Sequence, residues 1–341
     1  MGKVRVAVVG CGSISERRHI PEYAANPDVE LVAFADPVLE RAQGYADLYN
    51  AKAYADYKEL LAAGGFDAVS VCTPNALHAE VSIAAAKAGA HVLVEKPMAT
   101  TDEEARDMIA AAEQNNVFLM VAHNQRLMPP HLKAKEILKQ GHLGRVLTFR
   151  TAFGHGGPEG WSIDGKNSWF FRKGEAIMGA MGDLGVHKSD MIRWLLEDEV
   201  VNVSAFIGTL DKTDTDVDDN AICLLRMGSG AIGSLVASWT SYRGEDNGTV
   251  LWCENGVMKI GTDPVDQVIV ELRNGTVERY QIGEIATNDK QVASGVMDEF
   301  ISCIQTGTAP IISGEEGRRS LNVILAAFQS QAEGRTITLN S

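Results

Sequence analysis

Two segments of the chain carry side chains suited to acid–base chemistry. Lys96 follows an apolar segment at 91–95. Asp183 and His187 are four positions apart, so a helix that begins there places both on one face. A histidine near a helix N-terminus stays neutral and can accept a proton. We therefore predict that Lys96, Asp183 and His187 are catalytic, against the alternatives of a solvated lysine and a capped helix with a core histidine.

The surroundings of the Asp183–His187 pair favour a ligand site. Gly179, Gly182 and Gly185 are predicted to leave room for a ligand to approach the backbone. Asp190 lies three positions beyond His187 and is a second carboxylate within reach of the ring.

The start of the chain predicts a phosphate-binding turn. Residues 4–9 are a short apolar run rich in β-branched residues, which is typical of a buried strand in a parallel sheet. Gly10 permits a tight turn after this strand, and Gly12 permits close approach of a pyrophosphate. The helix that follows offers its N-terminal amides to the phosphates. We predict that Gly10, Gly12, Ser13 and Ile14 bind a dinucleotide.

Asp36 ends a second apolar run, at 30–35. A carboxylate at this place accepts the hydroxyls of an adenosine ribose and repels a 2′-phosphate, so we predict that the cofactor is NAD. Pro37 follows, so no basic residue stands directly beside the carboxylate, but Arg41, one helical turn further on, leaves NADP possible. The alternative role for Asp36 is a helix N-cap, because Asp-Pro commonly precedes a helix.

Strands and helices alternate from residue 1 to about 125, which predicts a doubly wound parallel sheet of the Rossmann type in an α/β domain. The predicted strands are 4–9, 30–35, 67–72, 91–95 and 117–122, and the predicted helices are 15–25, 38–49, 57–63, 77–88 and 102–115. Pro21 should kink or shorten the first helix. Ligands of such sheets bind beyond the carboxyl ends of the strands. Lys96 therefore faces the cleft, and the residues predicted to bind the cofactor with it are Cys72, Thr73, Asn75, His78 and Glu95.

The pattern changes after Asn124 to one typical of an α+β domain with a large, mostly antiparallel open sheet. The predicted strands are 145–153, 201–208, 220–226, 231–239, 248–254, 257–260, 267–273 and 277–282, and the predicted helices are 130–139, 185–196, 290–305 and 315–332. Asn255-Gly256 and Asn274-Gly275 are strong hairpin signals between such strands. We predict two domains, 1–125 and 126–341. Few helices remain to cover the second sheet, so we expect one of its faces to be buried in a homo-oligomer.

A long loop at 154–173, rich in Gly, Trp and His, is predicted to border the substrate, because ordered loops of this length are usually functional. Its side chains offer a flat stacking face and hydrogen bonds suited to a sugar, with core or interface positions as the alternative; they are His155, Trp161, Trp169 and Arg172. Asn124 and Arg126, where the two domains meet, are further candidates for substrate binding. A structural ion pair is the alternative for Arg126.

One acidic segment resembles a calcium-binding loop. It contains Asp214, Asp216 and Asp218. Asp219 and Leu225 stand where the loop needs Gly and Glu. We therefore predict a solvated acidic loop and no metal site.

Composition excludes several classes of protein. The chain of 341 residues has 31 basic and 45 acidic residues and a net charge of −14, which argues against nucleic-acid binding. No apolar run approaches the roughly 18 residues of a membrane span, and the N-terminal run is too short for a signal peptide. The five cysteines are scattered without a Cys-x-x-Cys pair, as expected for reduced thiols in the cytoplasm.

These motifs resemble those of the Gfo/Idh/MocA family, which includes glucose–fructose oxidoreductase and inositol dehydrogenase. The resemblance covers nearly the whole chain and rests on Gly10-Cys11-Gly12-Ser13-Ile14, Asp36-Pro37, Cys72-Thr73-Pro74-Asn75 with His78, Glu95-Lys96-Pro97, and the segment from Gly182 to Asp190. It implies a Rossmann domain followed by an open sheet domain. It also implies that two or four copies pair through that sheet, as a homodimer or homotetramer.

The resemblance also implies roles for three residues. Lys96 matches a catalytic lysine hydrogen-bonded to the reacting oxygen, and Asp183 and His187 match a substrate-binding and acid–base pair. The chain departs from the pattern at Ala180-Met181, where many members have further glycines, and we expect these side chains to crowd the pocket. It departs again at Arg126, which stands alone where the family often has two adjacent arginines.

We therefore expect an NAD(P)-dependent dehydrogenase that oxidises a secondary hydroxyl of a cyclitol or sugar by hydride transfer. Alternatives that use the same residues are a keto-sugar reductase and an anhydrosugar or nucleotide-sugar dehydrogenase. A third alternative is a dinucleotide-binding sensor without catalysis. A sensor tolerates the loss of Lys96, Asp183 or His187, and all three are present.

Overall fold

The computed structural model describes residues 2–283, 285 and 293–339. Its first sheet has six strands, all parallel: β1 (Val4–Val9), β2 (Val29–Ala35), β3 (Lys52–Tyr54), β4 (Ala68–Val71), β5 (His91–Val94) and β6 (Leu119–Val121). Their spatial order is β3-β2-β1-β4-β5-β6, the Rossmann order, in which the direction of strand addition reverses beside β1. The predicted Rossmann sheet is confirmed. Only β3 was missed, because three residues are too few to show a period.

Five helices connect these strands: α1 (Ile20–Ala25), α2 (Leu39–Tyr49), α3 (Tyr57–Ala63), α4 (His78–Lys87) and α5 (Asp102–Gln114). The first predicted helix, 15–25, is interrupted. A π-helical turn occupies Ser15–His19, and α1 begins only at Ile20, with Pro21 in its first turn. Residues 13–25 are helical throughout, so Pro21 lies inside a continuous helix, directly after a π-helical turn of the kind that accompanies helix kinks.

The second sheet has nine strands: β7 (Val146–Gly154), β8 (Val200–Gly208), β9 (Asn220–Met227), β10 (Ile232–Ser238), β11 (Thr249–Cys253), β12 (Gly256–Ile260), β13 (Val268–Leu272), β14 (Val277–Tyr280) and β15 (Ile337–Thr338). Their order is β14-β13-β12-β11-β7-β10-β9-β8-β15. Every neighbouring pair is antiparallel except β7 and β10, which are parallel. The predicted mostly antiparallel sheet is confirmed, and the two-residue strand β15 was missed.

The remaining helices are α6 (Pro129–Lys139), α7 (Lys173–Ala176), α8 (Val186–Leu196), α9 (Val296–Thr306) and α10 (Gly314–Glu333). Helix α10 packs on α8 and β8 and also on α5 and β6, and α9 packs on α1 and β1. Helix α10 therefore connects the second sheet to the first, whereas α9 packs on the first half of the chain, and the boundary between 125 and 126 stays a prediction. Positions 290–292 of the helix predicted at 290–305 lie outside the described residues. None of the described helices is long and apolar enough to cross a membrane.

The two faces of the second sheet differ in their cover. Helices α6, α8 and α10 pack on one face. The other face carries apolar side chains with large exposed fractions: Phe206 at 84%, Leu224 at 63%, Ile222 at 55% and Ile232 at 54%. Phe206 pairs with Ile222 across β8 and β9, so these side chains form a continuous patch, which we call the exposed sheet face.

Candidate active site

A cavity of about 800 Å³ lies where β1, β2, β4 and β5 end, facing the loop at 154–173 and the start of α8. Almost all predicted site residues line it. They are Gly10, Gly12, Ser13, Ile14, Asp36, Cys72, Thr73, Asn75, His78, Glu95, Lys96, Asn124, His155, Trp161, Trp169, Arg172, Asp183 and His187. Residues far apart in the chain therefore meet at one edge of the parallel sheet, where ligands of such folds bind.

Arg126 is the exception among the predicted site residues. It is buried and does not line the cavity. Its Nε and Nη2 donate to the two carboxylate oxygens of Asp190 at 2.7 and 2.6 Å, and Nη2 also donates to Glu316 at 2.7 Å. The prediction that Arg126 binds substrate is therefore corrected. Its planar guanidinium, matched to a buried carboxylate, joins the turn at Asn124–Leu127 to α8 and α10 as a structural ion pair.

The glycine turn fits a dinucleotide. Gly10 has a φ of +91°, and a Cβ there would lie 2.5 Å from the Cys72 carbonyl oxygen, so a side chain is excluded. A Cβ on Gly12 would meet nothing within 4 Å, which leaves the backbone at this point open to the cavity. The Ser15 hydroxyl donates to the Gly10 carbonyl and holds the turn against the following helix. This shape is what close approach of a pyrophosphate requires.

Asp36 is buried at the end of β2 and faces the same cavity. Its Oδ2 accepts the Cys11 amide at 2.8 Å, and its Oδ1 accepts the Val38 amide, also at 2.8 Å. An ionised carboxylate has about four acceptor sites, so two backbone bonds leave capacity for ribose hydroxyls. The bond from the Val38 amide resembles the N-cap role considered for Asp36. It does not prevent Asp36 from also binding the cofactor, as predicted.

Lys96 and Asp183 form an ion pair at the other end of the cavity. Nζ of Lys96 donates to Oδ1 of Asp183 at 2.9 Å and to its carbonyl oxygen at 3.0 Å. The side chains are 15% and 5% exposed. An ammonium has three donors, and the third remains for a ligand oxygen in the cavity. The Lys96–Pro97 peptide is cis.

The Asp183 carboxylate is held by two more groups. Trp239 Nε1 donates to Oδ2 at 3.1 Å, and His155 Nε2 lies 3.6 Å from the same oxygen. Burial alone would raise the pKa of Asp183, but Lys96 and His155 outweigh burial and bring that pKa well below its usual range. Asp183 is therefore a carboxylate that fixes Lys96. These bonds do not join Asp183 to His187, although the sequence placed the two on one helix face.

Trp239 was missed by the sequence analysis. It is fully buried, in the segment directly after β10. A signal existed, because an indole N–H at the end of a strand usually needs a hydrogen-bond partner when it is buried. Its partner was not readable, since Asp183 is 56 positions away.

His187 begins the first turn of α8, directly after a π-helical turn at Met181–Gly185. Burial, and then the positive charge of Lys96, hold the pKa of His187 well below its usual value. The ring is therefore neutral near pH 7 because of burial and Lys96, and not because of the helix N-terminus that the sequence suggested, since the chain is already helical from residue 180. Asp190, the other candidate partner, is bonded to Arg126 and Ser320 instead.

Other predicted residues shape the rim of the cavity. His78 places Nδ1 2.7 Å from the Pro97 carbonyl oxygen and Nε2 2.8 Å from that of Thr73. It therefore holds two cavity turns together and has a positioning role. The Asn75 amide donates to the Ala176 carbonyl at 2.9 Å and links the turn after β4 to α7.

Glu95 has a similar positioning role. Its Oε1 is 3.0 Å from His19 Nε2, and its Oε2 accepts the Lys96 amide at 3.1 Å. His19 Nδ1 in turn lies 2.6 Å from the Ser70 hydroxyl. This buried chain fixes the turn that presents Lys96, and its members His19 and Ser70 were not among the predicted site residues.

The loop at 154–173 places aromatic groups on the cavity. Trp169 stacks on Phe170 with ring centroids 3.9 Å apart, so one of its faces is already covered. The Trp161 indole nitrogen is buried without a hydrogen-bond partner among the described residues. His155 Nδ1 accepts the Gly157 amide at 2.9 Å, and its Nε2 faces the Asp183 carboxylate at 3.6 Å. Arg172, at the loop end, pairs with Glu175 at 3.2 Å.

The glycines near Asp183 serve packing instead of ligand access. A Cβ on Gly179 would lie 1.8 Å from the Asp218 carbonyl oxygen, and one on Gly182 would lie 2.6 Å from Met178 Cβ. A Cβ on Gly185 would lie 2.5 Å from the sulfur of Met181. The prediction of ligand room at these glycines is corrected. Ala180 and Met181 are buried and do not line the cavity, so they do not crowd it.

The acidic loop is only partly solvated. Asp218 and Asp219 are buried. Asp218 accepts the amides of Gly179 and Met181 at 2.6 and 2.7 Å, and Asp219 accepts three amides of the 210–212 turn. The prediction of a solvated loop is therefore wrong for these two residues: Asp218 holds the segment that carries Asp183, and Asp219 holds the 210–212 turn.

Two family models match this chain, each over its own range of residues. Residues 4–123 match the oxidoreductase family with an NAD-binding Rossmann fold, and residues 131–259 match the GFO/IDH/MocA C-terminal domain. Levoglucosan dehydrogenase of Pseudarthrobacter phenanthrenivorans is 32% identical over 275 residues, which cover 71% of this chain and 69% of that protein. This chain belongs to the Gfo/Idh/MocA family. It is an NAD(P)-dependent oxidoreductase of a family that acts on sugar hydroxyls.

Two further relatives of this Gfo/Idh/MocA protein match over nearly its whole length. D-glucoside 3-dehydrogenase of Escherichia coli is 29% identical over 353 residues, which cover 98% of this chain and 97% of that protein. The structure of a levoglucosan dehydrogenase with NADH and levoglucosan superposes with a TM-score of 0.87 at 26% identity, covering 99% of this chain and 100% of that one.

Proposed function

We propose that this protein is an NAD-dependent dehydrogenase that oxidises a secondary hydroxyl of a sugar or cyclitol. The observation that carries the proposal is the meeting of Lys96, Asp183 and neutral His187 at the end of the cavity opposite Asp36. The names of the relatives, a levoglucosan dehydrogenase and a D-glucoside dehydrogenase, support a sugar as the substrate class.

The roles of the three groups follow from their charges and bonds. The cofactor, when bound, supplies the hydride acceptor. His187 takes the proton of the substrate hydroxyl, which its low pKa permits at neutral pH because the ring arrives unprotonated. The third donor of Lys96 holds the same oxygen and stabilises the negative charge that develops as the proton leaves. Asp183 keeps Lys96 in place through two bonds.

The alternatives stay open in direction and substrate. A keto-sugar reductase uses the same groups in reverse, with His187 returning the proton and Lys96 holding the carbonyl oxygen. A sensor needs the glycine turn and Asp36 but gains nothing from a charged lysine held beside a neutral histidine. We propose catalysis for this reason.

Turnover of a substrate panel tests the proposal. The panel contains levoglucosan, methyl D-glucosides and inositols, each with NAD and with NADP, and also keto-sugars with NADH. Absorbance at the nicotinamide band reports hydride transfer. Oxidation of at least one polyol supports the dehydrogenase, and turnover of keto-sugars alone supports the reductase. Tight NADH binding without turnover of any member favours the sensor.

A prediction about Asp36 tests cofactor choice. The Asp36 carboxylate lines the cavity at the end of β2, where a carboxylate binds the ribose of NAD and repels a 2′-phosphate, so the unaltered protein should prefer NAD. Replacing Asp36 by Ser should lower the preference for NAD over NADP by about tenfold, the value of one charged hydrogen bond. The preference should therefore narrow or reverse. Steady-state kinetics with both cofactors measure it. Equal or better use of NADP by the unaltered protein would remove Asp36 from this role.

A prediction about assembly concerns the exposed sheet face. An apolar patch of this kind is a liability unless it is covered, and we propose that a second copy covers it, in a homodimer or homotetramer. Light scattering at micromolar concentration should show an oligomer. Leu224→Asp, which places a charge in the patch, should give monomers.

The matched control for this prediction is Leu48→Asp. Leu48 is also a leucine with a large exposed fraction, 69%, but it lies on α2, away from the exposed sheet face. It should leave the oligomer intact. A monomeric unaltered protein, or equal dissociation by both substitutions, contradicts the proposed interface.

The thiols support a proposed compartment. All five cysteines are free and buried. Reduced, unpaired cysteines are typical of proteins kept in a reducing environment, and we propose the cytoplasm.

A further inference from the structure

A segment of the second half of the chain is bonded to the cofactor turns of the first half. We call residues 161–164, which belong to the loop at 154–173, the strap. The Ile163 amide donates to the Ser13 hydroxyl at 2.7 Å. Arg41 Nη2 donates to Asp164 Oδ1, also at 2.7 Å. The strap is therefore tied to the glycine turn and to helix α2 at the end of the cavity where Asp36 lies.

Arg41 stands where a phosphate on the ribose would need a cation. It lies in the first turn of α2, with its amide bonded to the Val38 carbonyl at 2.9 Å, and Val38 is itself bonded to Asp36. The charges of Asp36 and Arg41 both act on the buried Cys11 thiol. Burial and then Asp36 raise the pKa of this thiol, and Arg41 lowers it. Arg41, Asp36 and Asp164 all line the cavity.

We propose that Asp164 is a cofactor-specificity residue, which disfavours NADP by holding the Arg41 guanidinium in an ion pair. This inference rests on the proposed function, in which Asp36 binds the ribose of NAD. Asp36 repels a 2′-phosphate from one side, and Asp164 withholds the cation that offsets this repulsion in an NADP site. The determinant lies 123 positions from Arg41, outside the strand–turn–helix unit in which specificity is usually sought.

The physical argument depends on competition for one guanidinium. The two side chains are only 27% and 37% exposed, so water screens the pair incompletely. A 2′-phosphate must displace Asp164 from Arg41, and it must then lie near two carboxylates. When the Asp164 charge is removed, the guanidinium can turn its fork to the phosphate, which it binds with charge-assisted bonds.

Dissociation constants of NADH and NADPH, measured by nicotinamide fluorescence on the intact protein, test the proposal. Asp164→Asn keeps the shape of the side chain and removes its charge. The ratio of the NADPH constant to the NADH constant should fall about tenfold or more, the value of a charged hydrogen bond. The gain should shrink with added salt, because it is electrostatic. Asp164→Glu restores the carboxylate and should retain the ratio of the unaltered protein.

Arg41→Gln is the matched control. It breaks the same ion pair and loosens the same strap, but it leaves no cation for the phosphate. Its NADPH to NADH ratio should therefore not fall. The double variant Arg41→Gln/Asp164→Asn should lose the gain that Asp164→Asn shows alone, because the gain needs Arg41.

Three outcomes overturn the inference. One is a ratio in Asp164→Asn within twofold of the unaltered protein. Another is a gain that persists in the double variant. The third is an equal fall in Arg41→Gln and Asp164→Asn, which assigns the effect to the loosened strap. Failure of the proposed function looks different, since the unaltered protein would then bind neither NADH nor NADPH or would turn over no polyol.

Discussion

Lys96→Met is expected to lower turnover by about 10²–10⁴-fold, the range that one acid–base or oxygen-stabilising group contributes, while NADH still binds. The reason is that Met fills the same space without a donor for the reacting oxygen. A lysine that only bound the cofactor would give the opposite pattern, with weaker NADH binding and normal turnover at saturation. Fluorescence titration with NADH, beside saturating turnover of the active polyol, separates the two roles.

The substitution also removes the partner of a buried carboxylate. Asp183 keeps its bond from Trp239 but loses the Lys96 ammonium, and breaking a buried ion pair from one side costs about 3–5 kcal/mol of unfolding free energy. Thermal unfolding of the variant should therefore be measured, and turnover should be compared at a temperature where it is folded.

Lys135→Met is the matched control. Lys135 is a buried lysine on α6 whose Nζ donates to the Trp194 and Leu195 carbonyls, outside the cavity. Its loss should lower stability and leave turnover per folded molecule unchanged. If Lys96→Met retained wild-type turnover, or if both variants lost turnover equally, the assignment of Lys96 would be wrong.

The fold was predictable because its signals are local. Buried parallel strands appear in the sequence as apolar runs. The glycine turn, Asp36 and the Asn-Gly hairpin pairs can each be recognised from a few consecutive residues. The strands that were missed, β3 and β15, have three and two residues and pair with β2 and β8 through tertiary contacts. No window within the sequence contains that information.

The cavity was also largely predictable, because residues that follow parallel strands must meet at one edge. What the sequence could not show is which partner each polar group chooses. Lys96 binds Asp183 across 87 positions, and Arg126 binds Asp190 across 64. Both cations follow apolar strands in turns of similar character, and only the tertiary arrangement makes one face the cavity and the other a buried carboxylate.

The glycines near Asp183 are a second case in which the sequence does not show which residues become neighbours in the fold. A glycine in the sequence signals that there is no side chain at that position. Whether the space is filled by packing or open to a ligand depends on which residues lie next to the glycine in the fold. At Gly179 the space is taken by the Asp218 backbone, and at Gly182 by Met178. At Gly12 it stays open toward the cavity. One residue type therefore means packing in one turn and ligand access in another.

His187→Asn is expected to depress turnover by a similar factor of about 10²–10⁴. Asn keeps a hydrogen bond to the substrate oxygen but cannot take its proton. In the unaltered protein the pKa of His187 lies well below 6.5 because of burial and Lys96. The ring is therefore neutral at assay pH, and it becomes protonated and inactive as a base only as the pH falls through that lowered pKa.

The pH dependence follows with a definite sign. Oxidation by the unaltered protein should decline on the acid side, below the usual histidine pKa of about 6.5, and His187→Asn should flatten this acid limb because its titrating group is gone. His131→Asn is the control: burial lowers the pKa of His131 to about 3, and the ring lies outside the cavity with Nδ1 at the Gln125 carbonyl oxygen. It should keep both turnover and the acid limb.

The double variant Lys96→Met/His187→Asn gives the sharpest reading of the site. Lys96 and His187 act on one oxygen in one transition state, so the losses of turnover caused by the two substitutions should not add. The double variant should turn over nearly as fast as the slower of the two single variants. Fully additive losses would place the two groups at separate steps. Wild-type turnover in both single variants, with NADH still bound, would exclude both catalytic assignments.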